Sequence, residues 1–132
     1  MSHRPTLEEL QSALRASWCA ETAHTPHTWS SANPSAGQCW TTAYVVRHFL
    51  GGEILYAELM PQSEPVERHA WNRLPDGNEV DLTREQLPKH QALRQCDIPE
   101  AIVAAVSGAQ AQRLLERVSR LLDRSAVVNN DG

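Results

Sequence analysis

One cysteine, one histidine and one aspartate carry the chemistry that this sequence can do: Cys39 in Gly37-Gln38-Cys39-Trp40, His69 in His69-Ala70-Trp71-Asn72, and Asp81 in Asp81-Leu82-Thr83. A thiol becomes a nucleophile when a nearby base takes its proton, and the base works best when a third group holds its ring and stabilises the cation that forms. Cys39 is read as the nucleophile, His69 as the base and Asp81 as the carboxylate that orients it. Gln38, beside the cysteine, offers its amide as a donor to a developing oxyanion, as does the backbone N–H of Cys39. Trp29 and Trp71 are large aromatics able to cover a thiolate, to line a substrate site, or simply to serve as core.

The elements that must position these residues follow from local pattern. Pro34 and Gly37 lie in a loop, and from Cys39 the sequence is apolar and helical in length until Gly51-Gly52 stops it. Cys39 therefore falls in the first turn of a helix, where unpaired N–H groups and the partial positive charge of the helix start favour a thiolate. Trp40, Ala43, Tyr44, Val45, Val46, Phe49 and Leu50 spread around more than one face, which predicts a helix enclosed by other elements.

Around this helix, Thr6 and Glu9 form a capping-box signature, and Leu7, Leu10, Leu14 and Trp18 recur at helical spacing, predicting a first helix over 6–19. Residues 20–38 lack periodicity and read as a long ordered loop. Residues 53–59 read as a strand, and 61–67 as a polar connection. Arg68 to Leu74 and Asn78 to Thr83 flank Pro75-Asp76-Gly77 as a β-hairpin. A short helix is signalled near 84–87 before Pro88, with irregular chain to 99. Residues 98–106 lean towards helix, and Ala111, Leu114, Leu115, Val118, Leu121 and Leu122 define a final helix over 110–124. Residues 125–132 read as a flexible tail after a single α+β domain over 1–124.

The hairpin register decides whether Asp81 can serve His69. A two-residue loop at Asp76-Gly77 would turn Asp81 to the face opposite His69. A three-residue loop, with Pro75 opening a type I turn and Gly77 in the left-handed position of a bulge, pairs Arg73 with Glu79, Trp71 with Asp81 and His69 with Thr83, all on one face. The second register is expected, with Asn72 on the opposite face.

These motifs, in the order Cys, His, Asp, resemble the catalytic core of the transglutaminase-like branch of the papain-like superfamily. The stretch from Asn33 to Thr83, with Asn33-Pro34, Gly51-Gly52-Glu53-Ile54-Leu55 and Asp81-Leu82-Thr83, is also similar to the YunG-like group of small bacterial proteins. The resemblance implies a papain-like core in which the cysteine-bearing helix packs on a small antiparallel sheet. It also implies a thiol-dependent hydrolase or acyltransferase acting on an amide or ester through an acyl-thioester on Cys39. This chain is much smaller than transglutaminases. A papain-like scaffold used as a non-catalytic binding module is the alternative.

Composition narrows the remaining classes. At 132 residues with 41% hydrophobic and 21% charged residues, the chain fits one globular domain. Twelve basic against sixteen acidic residues give −4, which provides no global field to attract nucleic acid or anionic lipid. No apolar run approaches the roughly 18 to 20 residues of a membrane span, and a cytoplasmic location is expected. Three widely spaced cysteines argue against a disulfide framework. Cys19, His24 and His27 lack the spacing and the fourth ligand of structural zinc, so no metal or other cofactor is expected. The expected partner is a small-molecule or peptide substrate.

Overall fold

The computed structural model describes residues 4–23, 29–32, 35, 37–64, 66–100 and 108–130, with side chains described as far as 124. The fold is α+β. Among the described residues there are three helices, α1 (Leu7–Ser17), α2 (Cys39–Leu50) and α3 (Ala109–Asn130), and four strands, β1 (Glu53–Met60), β2 (Arg68–Arg73), β3 (Glu79–Val80) and β4 (Ala92–Gln95). The strands form one antiparallel sheet in the order β3-β2-β1-β4.

Helix α1 begins where its capping box places it. The Thr6 hydroxyl accepts the Glu9 N–H at 3.1 Å, and the Glu9 carboxylate accepts the Thr6 N–H at 2.9 Å, so two orphan donors of the first turn are satisfied. At its other end the Trp18 indole N–H donates to the Thr42 hydroxyl at 3.0 Å, tying α1 to α2.

Helix α2 is central because it is apolar on both sides. Val45 and Val46 pack with Leu10, Ala13, Leu14 and Trp18 of the α1 segment and with Leu114 and Val118 of α3. Cys39, Trp40 and Ala43 pack on Ile54, Tyr56 and Ala70 of the sheet. At roughly 25 cal/mol per Å² of buried apolar area, burial on two sides outweighs the modest propensity of a helix rich in β-branched residues. Gly51 and Gly52 end it at φ +77° and +84°. A side chain on Gly52 would meet the Arg73 carbonyl at 2.2 Å, so the turn out of α2 is packed against the end of β2.

Several expectations are corrected. The segment expected to be irregular contains β4, which pairs with the second half of β1, Glu58 opposite Arg94 and Leu59 opposite Leu93. Its local pattern is weak, and the edge of β1 supplies the hydrogen bonds that order it. The weak helix signal near 84–87 is a 3-10 turn over Arg84–Gln86. Helix α3 continues to Asn130, past the expected end at Arg124, because no glycine or proline interrupts it and extending a formed helix costs little. The helix expected over 98–106 lies largely outside the described residues. No helix among the described residues is long and apolar enough to cross a membrane.

Candidate active site

The site begins with the turn between β2 and β3. Gly77 donates its N–H to the Leu74 carbonyl at 2.9 Å and adopts φ +92°, while Leu74 donates to the Asn78 carbonyl at 2.8 Å. This is the three-residue loop with a left-handed glycine, and it sets Arg73 opposite Glu79 and Asn72 opposite Val80. The expected register is therefore present, but the expected length is not. The ladder ends at Val80, so Asp81 and Thr83 are not ladder partners of Trp71 and His69. Asp81 leaves the strand because its own carboxylate competes for the backbone: Oδ1 accepts the Thr83 N–H at 3.2 Å and the Thr83 hydroxyl at 3.4 Å, which starts the 3-10 turn.

The other carboxylate oxygen, Oδ2, lies 2.7 Å from His69 Nε2. His69 is 1% exposed, and the Trp71 indole stacks beside its ring with centroids 6.1 Å apart and an interplanar angle of 17°. Burial by itself depresses an imidazole and is the largest single influence here. It is overturned by the hydrogen bond to Asp81, then by that to Cys39 and by the electrostatic attraction of the same two groups, so the pKa of His69 is pushed up to about 9. His69 on β2 and Asp81 just past the end of β3 thus come together, and Cys39 raises the pKa of the same ring.

Cys39 is the first residue of α2 and is 7% exposed. A residue in that position has an N–H without an intrahelical acceptor. Gln38, expected either to offer its amide to an oxyanion or to face solvent, does neither. It is fully buried, its Nε2 donates to the Cys19 carbonyl at 3.0 Å, and its Oε1 accepts the Thr22 hydroxyl at 2.8 Å. The amide is a brace between the 3-10 turn over Ala20–Thr22 and the tip of α2. Gln86 reaches back to donate to the Ser35 carbonyl, and Ser35 in turn accepts the Gln38 N–H at 3.0 Å, so the loop before Cys39 is held from two directions.

The remaining expected residues are placed as follows. Trp71 is half-buried and donates its indole N–H to Glu79 at 2.8 Å. Trp29 is half-buried in the loop that precedes α2. Asn72 is turned away from His69, as the alternation requires, and donates to the Ala43 carbonyl at 2.9 Å, which clamps β2 to α2. Thr83, expected opposite His69, instead donates to the Asp81 carboxylate. Two neighbours of these residues were missed from the sequence: Thr22, which bonds Gln38, and Tyr56, which packs with Cys39. Thr22 and Tyr56 carry no local signal, since only folding brings them near Cys39. No group of three or more metal-ligating side chains is present among the described residues, while His24 and His27 lie outside them.

A family model described as YunG protein matches residues 6–123 of the chain. No curated protein and no solved structure matches it.

Proposed function

We propose, for a chain that belongs to the YunG family, a thiol-dependent hydrolase or acyltransferase acting on an amide or ester through an acyl-thioester on Cys39, built on a scaffold of the papain-like, transglutaminase-like kind. The observation that carries this reading is the hydrogen bond of 2.7 Å between His69 Nε2 and Asp81 Oδ2 on a ring that Cys39 also engages. With Nε2 committed to Asp81, Nδ1 is the nitrogen left to take the Cys39 proton, and Asp81 stabilises the imidazolium. The sulfur then forms a bond to the acyl carbon, and the carbonyl electrons move onto oxygen beside the N–H groups of the helix start. Collapse expels the amine or alcohol, which takes its proton from His69. In the second step water or an amine bonds to the acyl carbon as His69 takes its proton; the carbon–sulfur bond then breaks, the acid or new amide leaves, and the proton returns from His69 to the sulfur.

Alkylation of Cys39 by iodoacetamide tests the reading. The expected result is a rate near neutral pH well above that of a free thiol, lost in His69→Gln. A rate no faster than a free thiol, with no dependence on His69, would overturn it. The small exposures of Cys39 and His69, 7% and 1%, favour the second reading, a binding module that keeps the scaffold without turnover. Acyl-reactive probes, read by the mass of the adduct on Cys39, separate the two.

A further inference from the structure

Among the described residues, the hydroxyls of Ser17, Ser35 and Tyr56 are buried without a hydrogen-bond partner. Buried polar groups are nearly always paired, so each such hydroxyl calls for a reason. Of these, Tyr56 packs side by side with Cys39 in one apolar group. It is 1% exposed, its ring packs on Trp40 with centroids 4.8 Å apart, and it belongs to the same packed group as Cys39, Trp40, Ala43 and Ala70. Cys96 and Ile98 pack against that group, and with Tyr56 and Ile54 they line a cavity of about 360 Å³ at the end of β4. Tyr56 thus belongs both to the group packed around the thiol and to the lining of that space, and its hydroxyl is a buried donor without a partner.

We propose that Tyr56 is a substrate-contacting residue, whose hydroxyl donates a hydrogen bond to the carbonyl oxygen of the acyl group that Cys39 attacks. The inference rests on the acyl-transfer reading above and adds a donor to it. The hydroxyl accepts no bond and loses no proton in the step: as the sulfur–carbon bond forms and the carbonyl electrons move onto oxygen, the O–H contact strengthens, and it relaxes when the leaving group departs. Burial raises the phenol above its ordinary pKa against the opposing pull of Arg68, so the group stays a donor. A donor aimed at a developing oxyanion acts most strongly where water is excluded.

Tyr56→Phe removes the oxygen and keeps the ring. Two reagents are compared on it: p-nitrophenyl acetate, whose attack builds an oxyanion, and iodoacetamide, whose displacement does not. The expected result is acylation of Cys39 slowed by roughly 100-fold, alkylation at the wild-type rate, and a melt no less stable than wild type because no native bond is lost. Acylation at the wild-type rate, or both reactions slowed together, would overturn the Tyr56 assignment while leaving the Cys39 reading intact. Wild-type protein that is neither acylated nor alkylated in a His69-dependent way would remove the Cys39 reading and this proposal with it. If the variant does not fold, the phenol carbon resonance of ¹³C-labelled Tyr56, assigned against Tyr44→Phe, serves instead. It should shift on acylation of wild-type Cys39, and an unmoved resonance would overturn the assignment.

Discussion

His69 Nε2 and Asp81 Oδ2 are 2.7 Å apart, although His69 lies within a strand and Asp81 one residue beyond the last pair of its neighbour. The pairing survives the early end of β3 because Thr83 holds the other carboxylate oxygen and fixes the direction in which Asp81 leaves the sheet.

Stability should fall at alkaline pH. His69 has a folded pKa of about 9 against about 6.5 in an unfolded chain. Its contribution is therefore fully present below about pH 6.5 and is lost as pH rises through about 9, on the order of 3 kcal/mol in all. Urea melts from pH 6 to 10 measure this, and Asp81→Asn should flatten most of the slope.

Cys39→Ala should change stability little, by about 1 kcal/mol, since it removes one sulfur from the start of a helix. A denaturant melt checks this. A loss of several kcal/mol would mark Cys39 as a structural residue and weaken its role as a nucleophile.

Gln38→Ala should cost about 1 to 2 kcal/mol, because it removes two buried hydrogen bonds of the brace and leaves the Thr22 hydroxyl and the Cys19 carbonyl only their bonds to each other. Thermal melts read the loss, and Cys39 alkylation should slow as the helix tip loosens.

Two glycines with positive φ should respond differently to alanine. Gly77 has nothing within 4 Å of an added Cβ, so Gly77→Ala carries backbone strain alone, about 1 kcal/mol. At Gly52 the same change also drives a methyl into the Arg73 carbonyl. Gly52→Ala should therefore lower the melting temperature by clearly more than Gly77→Ala.

Local signals in the sequence determined much of this protein. The Thr6 and Glu9 pair started α1, the Cys39 segment between a loop and Gly51-Gly52 defined α2, and Pro75-Asp76-Gly77 set the register that lets His69 and Asp81 meet. Each depends on contacts within a few residues, which sequence order already supplies. Tertiary structure alone decided the rest. β4 exists because β1 offers an edge, Gln38 is a brace because the chain near Cys19 and Thr22 folds back onto the helix tip, and Tyr56 lies among the residues around Cys39 because β1 packs under α2. These outcomes turn on which polar groups are buried together and which neighbour can satisfy them, and residues far apart in the chain reveal that only once the core has closed.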